Sequence, residues 1–182
     1  QPAPRASDTP FPVVEVPADS GHAVALLLTG DGGWARGDGA LAQALVRGGV
    51  AVLALDTRAY LRAAHRTPEI MARDAAQILE RYAALWHRDR LVLVGYSRGA
   101  DLAPFIVGRW PAELRARLAL LALVGFADHA NFDFHWQDLV HDSKRASDLP
   151  TRPELERIRG TRVLCVYGVE EKDSVCPSLD ES

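Results

Sequence analysis

Apolar residues in this chain are collected into short runs that are separated by polar and glycine-rich segments. Continuous runs at 23–29, 50–56 and 90–94 have the length and composition of strands that are buried on both faces, and 118–124 is predicted as a further strand. Residues 13–16 alternate like an edge strand, and 162–167 is the last strand that the pattern predicts. The runs therefore predict a sheet whose central strands are covered on both sides.

Between these runs, apolar residues recur at the three- and four-residue spacing of a helix. The clearest segment begins at Pro68, which favours the first position of a helix, and continues to Trp86. Shorter helices are predicted at 38–47, 98–109 and 153–159. Because a strand, a helix and a further strand in succession imply parallel pairing, we predict an α/β fold with a mostly parallel sheet flanked by helices.

Composition and charge exclude several classes of protein. Of the 182 residues, 48% are apolar and 25% are charged, which is ordinary for a globular chain, so we treat 1–182 as a single domain. The net charge is -3 and the basic residues are scattered, so nucleic acid is not an expected partner. No apolar run approaches the roughly 20 residues of a transmembrane helix. No cysteine or histidine spacing indicates a metal site, and we expect no cofactor.

The most specific motif is the G-x-S-x-G sequence at 95–99, which directly follows the apolar run at 90–94. A serine at such a junction of strand and helix is the nucleophile elbow of a serine hydrolase, because the sharp turn exposes the hydroxyl and the glycines let neighbouring backbone pass. We therefore predict Ser97 as the nucleophile. Asp101, one helical turn later, is expected to cap or line the substrate pocket, with an exposed helix charge as the alternative.

A second dense motif, the glycine loop at 30–34, follows the buried run at 23–29. An oxyanion hole takes one backbone N–H from the residue after the nucleophile, here Arg98, and another from a loop after an early strand. Asp31 or Gly32 is the predicted second donor. A tight turn without a ligand is the alternative, whereas a nucleotide-phosphate loop is disfavoured because its glycine and lysine pattern is absent. The remaining members of the loop are predicted to contact substrate: Gly30, Gly33 and Trp34.

The acid of a catalytic triad is expected in the turn after a later strand, where residues 168–177 lie. We predict Asp173 for this role, with Glu170 and Glu171 as alternatives. A solvated acidic loop without a catalytic role is the remaining interpretation.

A histidine base should follow a further helix and strand, which need about 17 residues on average. Only nine residues follow Asp173, and none is a histidine. We therefore expect the sequence to be truncated before the last strand and the catalytic histidine. The alternative is an unorthodox base from the irregular segment after Val124, which would have to fold over Ser97. The histidines of the chain are His22, His65, His87, His129, His135 and His141.

Residues 126–150 are too long and too polar for a simple connection, and we predict a lid or substrate wall there. Cys165 and Cys176 flank the end of the last strand and the loop after it, so a disulfide between them is sterically feasible in an oxidising compartment. The alternative is one buried thiol and one incidental loop cysteine. The chain begins with glutamine, which fits either a mature chain after signal cleavage or a trimmed one.

Three sequence blocks together resemble the bacterial VirJ/AcvB virulence-protein family. They are the glycine loop with Thr29, residues 95–101 with Pro104 and Phe105, and residues 168–174 with Cys176. The resemblance implies a periplasmic α/β-hydrolase domain of a Gram-negative bacterium, with activity on aminoacylated phosphatidylglycerol. By the same resemblance Ser97 is the nucleophile, Asp173 is the acid and the glycine loop is the oxyanion wall, while the family's histidine has no counterpart.

The expected function is a serine hydrolase that cleaves a carboxylic ester. The resemblance implies lysyl-phosphatidylglycerol as substrate, and with it peripheral contact with a membrane surface. Asp31 and Asp101 are the candidates to attract the cationic group of such an ester. One alternative is a non-catalytic periplasmic binding or secretion-associated protein with the same fold, and another is a thioesterase or peptidase.

Overall fold

The computed structural model describes residues 4–133, 148–171 and 174–179. Within these residues the chain forms one seven-stranded sheet in the order β1-β2-β4-β3-β5-β6-β9 and a two-stranded ribbon, β7-β8. The strands are β1 (Arg5–Ala6), β2 (Val13–Val16), β3 (Ala23–Leu28), β4 (Val50–Leu55), β5 (Arg90–Tyr96), β6 (Leu118–Val124), β7 (His129–Ala130), β8 (Leu149–Pro150) and β9 (Val163–Val166).

The pairing of the strands confirms the predicted sheet. Strands β4, β3, β5, β6 and β9 are parallel, and β2 and β1 add antiparallel pairs at one edge. The middle strands β3, β4 and β5 are buried almost throughout, because both of their faces are covered. Each predicted strand is present within two residues of its expected bounds.

Helices cover both faces of the sheet. They are α1 (Arg36–Arg47), α2 (Thr57–Ala63), α3 (Pro68–Leu85), α4 (Arg98–Gly108), α5 (Ala112–Ala116) and α6 (Arg152–Arg157). Residues of α3 and α4 share one apolar core with one face of the sheet, and residues of α1 share the other core with the opposite face. Helix α3 begins as predicted, because the Thr67 hydroxyl accepts a hydrogen bond from the Ile70 N–H (3.3 Å) and Pro68 occupies the first turn.

The carboxyl ends of the parallel strands meet at one edge of the sheet. The glycine loop follows β3, Ser97 follows β5, and Gly125 follows β6. Strand β4 lies on one side of β3 and β5 lies on the other, so the strand order reverses at β3. Such a reversal opens a crevice beyond the strand ends, which is where open α/β sheets bind their ligands.

Two predictions from the sequence concern membrane-spanning helices and a lid over the site. In the part of the chain that the structure describes, no helix is long and apolar enough to cross a bilayer. Residues 134–147 of the predicted lid at 126–150 lie outside the described residues, whereas β7 and β8 border them on either side. The lid therefore stays a prediction.

Candidate active site

Ser97 lies in the sharp turn between β5 and α4. Its backbone adopts φ 52° and ψ -126°, and among the described residues only His87 is another non-glycine with a positive φ. Such backbone is costly and persists only where the surroundings hold it. The Ser97 N–H donates to the carbonyl of Val124 at 2.8 Å, and the Ser97 carbonyl accepts from the Ala100 N–H at 2.7 Å. The strand, turn and helix geometry expected of a nucleophile elbow is therefore present.

The two glycines of the motif are required by close backbone packing. A Cβ atom on Gly99 would lie 2.2 Å from the carbonyl oxygen of Leu28, at the end of β3. A Cβ atom on Gly95 would lie 2.4 Å from the Cα atom of Ala100, in the first turn of α4. Because backbone atoms cannot move aside as flexible side chains do, only glycine fits at either position.

The glycine loop lies directly beside Ser97, the predicted nucleophile. A Cβ atom on Gly30 would be 3.1 Å from Cβ and 3.6 Å from Oγ of Ser97. The Gly33 N–H donates to the carbonyl of Gly30 at 3.0 Å, which closes a turn. The loop backbone thus approaches the Ser97 hydroxyl as an oxyanion hole requires.

Carboxylates hold the far end of the glycine loop. Asp56, at the end of β4, accepts hydrogen bonds from the N–H groups of Trp34 (3.3 Å) and Ala59 (2.8 Å), and Gly33 packs against its carboxylate with a φ of +67°. Asp38 accepts from the Ala35 N–H at 3.2 Å. The N–H groups of residues 33–35 are therefore engaged within the fold, and the predicted oxyanion donors, Asp31 and Gly32, come before them.

Asp38 is almost completely buried in the first turn of α1. Burial raises the pKa of its carboxyl group, because the charged form loses water, and hydrogen bonds from backbone N–H groups, that of Ala35 first, oppose this shift. Asp38 and Asp56 were not among the candidate residues predicted from the sequence. Asp56 could have been identified from its position directly after a buried strand, because the carboxyl ends of parallel strands form the edge of the sheet where ligands bind.

Arg98 contributes to the site in two ways. Its backbone lies at the start of α4, where the first N–H groups of a helix have no partner within the helix and carry a partial positive charge. Its side chain is buried, with Nη1 2.8 Å from Oδ1 of Asp31 and Nη2 donating to the carbonyl of Asp133 at 3.4 Å. The backbone donor was predicted from the sequence, whereas the side-chain contacts were not, because they join residues far apart in the chain.

Asp101 has a partner within the fold. Its Oδ1 accepts a hydrogen bond from the Ala127 N–H at 2.7 Å, which fixes the segment that follows β6. The carboxylate is half-buried, so the alternative of an exposed helix charge is wrong. Contact of Asp101 with a substrate stays a prediction.

The acid segment, residues 167–175, follows β9 on the other side of Ser97. Asp173 and Lys172 lie outside the described residues, so the predicted role of Asp173 stays a prediction. Glu171 is described: a Cβ atom on Gly125 would lie 3.8 Å from Oε1 of Glu171 and 3.9 Å from Cα of Ser97. The Glu171 carboxylate and Ser97 therefore both lie beside Gly125, and Glu171 remains an alternative acid.

A disulfide between Cys165 and Cys176 closes the acid segment. The two Cα atoms are 5.5 Å apart and the cysteines are separated by 11 positions in the sequence. The Val175 N–H also donates to the carbonyl of Phe126 at 3.0 Å. The disulfide anticipated from the sequence is thus present, and it attaches the end of the acid segment to the edge of the sheet.

The described histidines lie in different surroundings. His22 precedes β3, and its carbonyl accepts from the N–H groups at the start of β5, so it lies at the amino edge of the sheet. A six-residue strand spans about 20 Å, which places His22 far from Ser97. His87 also precedes β5, His65 is 3.0 Å from Asp133, and His129 is 2.7 Å from Asp128. His135 and His141 lie outside the described residues.

Acidic, histidine and cysteine side chains are also the common metal ligands in proteins. Among the residues that the structure describes, no group of three or more of them has the arrangement of a metal site.

The fold resembles solved structures at low sequence identity. TT1662 from Thermus thermophilus is 15% identical with a TM-score of 0.57, over 91% of this chain and 89% of that one. Est1E from Butyrivibrio proteoclasticus is 14% identical with a TM-score of 0.60, over 96% and 82%. A thermostable carboxyl esterase from Bacillus coagulans is 17% identical with a TM-score of 0.51, over 70% and 44%. These likenesses establish the α/β-hydrolase fold, which hosts many activities.

No curated protein matches the sequence significantly. The model of the family described as bacterial virulence protein (VirJ) matches residues 22–182, which is most of the chain. The matched range contains the glycine loop, the elbow at Ser97 and the acid segment with its disulfide. The family resemblance of the sequence blocks is thereby confirmed, and the chain belongs to the bacterial virulence protein (VirJ) family.

Proposed function

We propose that this protein is a serine hydrolase that cleaves a carboxylic ester. The observation that carries the proposal is the juxtaposition of the Ser97 hydroxyl, on a strained turn, with the backbone of Gly30. A strained, glycine-flanked serine beside a glycine loop and a helix N-terminus is the arrangement that acyl transfer needs. The carboxyl esterase of similar fold from Bacillus coagulans adds support for this class of reaction.

In the proposed reaction the Ser97 oxygen attacks the ester carbonyl carbon, and its proton passes to a general base. The carbonyl oxygen becomes negatively charged and accepts hydrogen bonds from the N–H of Arg98 and an N–H of the glycine loop. The bond to the alcohol oxygen then breaks, and the alcohol takes the proton from the general base. Water attacks the acyl-enzyme in the same way, which releases the acid and restores Ser97.

For the substrate we favour an aminoacylated phospholipid such as lysyl-phosphatidylglycerol, because the chain belongs to the VirJ family and shares the sequence blocks described above. Such an ester carries a cationic amino group, and the Glu171 carboxylate lies across Gly125 from Ser97, where it can attract that group. This substrate brings the protein to a membrane surface. We also place it in the periplasm, where the Cys165–Cys176 disulfide is stable.

A fluorophosphonate probe tests the proposal in the full-length protein. Ser97 is expected to displace fluoride and to carry the phosphonate, which peptide mass spectrometry locates. The Ser97→Ala variant is the matched control and should stay unlabelled while unfolding at the same temperature. An unlabelled Ser97 in the folded protein would contradict the proposal and favour the non-catalytic binding protein.

The substrate class is tested separately. Vesicles of phosphatidylglycerol with lysyl-phosphatidylglycerol should release free lysine in the presence of the protein, and Ser97→Ala should release none. Labelling of Ser97 without lysine release would retain the esterase and reject this substrate.

A further inference from the structure

We propose that the ion pair between Arg98 and Asp31 positions the oxyanion hole, so that the two side chains are positioning residues for the hydrolysis. The inference rests on the proposed function and extends it to two side chains for which no positioning role was predicted. Arg98 is only 8% exposed, and its Nη1 lies 2.8 Å from Oδ1 of Asp31. The contact joins the first turn of α4 to the glycine loop.

The pair connects the two predicted donors of the oxyanion hole. The backbone N–H of Arg98 is one donor, and the side chain of the same residue binds the loop that supplies the other. A shift of the loop relative to α4 would therefore stretch the ion pair. Since oxyanion donors act only at hydrogen-bond distance from the charged oxygen, a fixed separation between them is what catalysis requires.

Other contacts fix the glycine loop on both sides of Asp31. Before it, Gly30 packs on Ser97, and the Thr29 N–H donates to the carbonyl of Leu55 at 3.2 Å. After it, the N–H groups of Gly33 and Trp34 are bound by Gly30 and Asp56. The Arg98 contact holds the intervening part of the loop, which includes both candidate second donors.

The other terminal nitrogen of the Arg98 guanidinium contacts the segment that follows β7. Nη2 of Arg98 donates to the carbonyl of Asp133 at 3.4 Å, and the Asp133 side chain lies 3.0 Å from His65. The guanidinium reaches Asp31 through one terminal nitrogen and Asp133 through the other, which the single nitrogen of a lysine does not reproduce. Arg98 thus joins the elbow, the glycine loop and the segment after β7.

The ion pair also reduces the net charge that a substrate meets at Asp31. The guanidinium beside Asp31 compensates the carboxylate, so this aspartate is a weak attractant for a cationic substrate. The positioning role therefore predicts that loss of Asp31 slows the hydrolysis of neutral and cationic esters alike. A substrate-binding role would instead raise KM for the cationic ester alone.

Arg109 supplies a matched control on the same helix. It follows the last turn of α4, and its guanidinium lies 2.7 Å from Glu69 and 3.0 Å from Glu154, at the end remote from Ser97. Arg98→Gln and Arg109→Gln each remove an ion-paired arginine. Only Arg98→Gln removes a side chain that contacts the glycine loop of the proposed oxyanion hole.

The test uses full-length protein with p-nitrophenyl butyrate as neutral ester and lysine p-nitrophenyl ester as cationic ester, together with the rate of fluorophosphonate labelling at Ser97. Arg98→Gln and Asp31→Asn should each lower kcat about 100-fold on both esters with little change in KM. The double variant should lose no more than Arg98→Gln alone, because both changes break one contact. Arg98→Lys should recover part of the loss, and Arg109→Gln should keep the kcat of the wild type.

Two results would overturn the inference while the proposed function stands, provided that the wild type is labelled at Ser97. In one, Arg98→Gln loses no more kcat than Arg109→Gln. In the other, Asp31→Asn raises KM for the cationic ester and leaves kcat unchanged. A folded wild type that neither ester nor probe modifies would reject the proposed function and the inference together.

Discussion

The nucleophile side of the site, which comprises the glycine loop and the turn at the predicted nucleophile Ser97, is built from backbone packed on backbone, whereas a disulfide joins the end of the acid segment to β9. Gly95, Gly99 and Gly30 each bring the main chain of one element against another near Ser97. In the acid segment, the Cys165–Cys176 bond and the hydrogen bond from the Val175 N–H to Phe126 join the chain to the sheet. One side thus rests on close backbone packing, and the described part of the other side includes a covalent closure.

This difference separates two tasks of a hydrolase. The nucleophile and the oxyanion donors must hold a geometry within a fraction of an ångström, and rigid elements achieve this. The acid segment has to orient a base or a cationic substrate, which a closed loop can do. Substitutions that disturb the backbone packing of the nucleophile side should therefore lower the free energy of unfolding more than loss of the disulfide that closes the acid segment.

The largest effect is expected from Ser97→Ala. It removes the attacking oxygen, and hydrolysis of p-nitrophenyl butyrate should fall at least about 1000-fold, as for other serine nucleophiles. The thermal unfolding temperature should change little, because the Ser97 side chain makes no cap to α4. Initial-rate kinetics with differential scanning fluorimetry measure both quantities, and full activity in the variant would end the assignment.

The next effect is expected from Gly99→Ala, which tests the backbone packing directly. The new methyl group would meet the Leu28 carbonyl at 2.2 Å, and the free energy of unfolding should fall by about 3 kcal/mol. Gly37→Ala is the control, since the nearest atom to its Cβ position is the Tyr96 hydroxyl at 3.9 Å. This change should be neutral or stabilise α1 by up to about 1 kcal/mol. Urea denaturation measures the free energy of unfolding of both variants. Equal values for the two would contradict the claim that close backbone packing requires glycine at position 99.

Removal of the disulfide tests the other side. In the double variant Cys165→Ala, Cys176→Ala the unfolded chain regains the freedom of a loop of 11 positions, and unfolding should become easier by about 2 to 3 kcal/mol. The fluorophosphonate labelling rate of Ser97 should fall less than in Arg98→Gln, because the oxyanion donors are untouched. A larger loss of labelling than in Arg98→Gln would show that the acid segment also fixes the nucleophile side.

The smallest expected effect is the pH dependence of stability that comes from the buried carboxyl group of Asp38, close to the glycine loop. Burial raises its pKa above the ordinary value of 3.8, so the folded state holds this proton more tightly than the unfolded state. Its contribution to stability is complete below about pH 3.8 and is lost as the pH rises through the folded-state pKa. The gain in stability of Asp38→Asn over the wild type should therefore increase from pH 4 to pH 7 in urea unfolding. A constant difference would contradict the shifted pKa.

Much of the fold follows from local patterns in the sequence. The apolar runs at 23–29, 50–56 and 90–94 became β3, β4 and β5, because strands buried on both faces leave a continuous signal. Helix α3 was predictable from its capping threonine, Pro68 and apolar spacing. The short β7-β8 ribbon and α2 were not predicted, since two-residue strands and a seven-residue helix carry little periodic signal.

The site also contains residues that could be predicted from the sequence and residues that could not. Ser97 and the glycine loop were found because their chemistry needs glycines at fixed spacing, which the sequence displays. The Arg98–Asp31 pair and the hydrogen bonds of Asp56 depend on elements that meet only in the folded sheet, so no local pattern announces them. The role of Asp173 is still a prediction, and the Glu171 carboxylate beside Gly125 is its nearest described rival.

The central claim is that the Ser97 oxygen attacks a carbonyl whose oxygen the helix start and the glycine loop receive. A crystal structure of the full-length protein after reaction with a fluorophosphonate tests this most directly. We predict phosphorus bonded to Oγ of Ser97, with its oxygen about 3 Å from the N–H of Arg98 and from the N–H of Asp31 or Gly32. A phosphonate on another residue, or one on Ser97 whose oxygen points away from both N–H groups, would contradict the account.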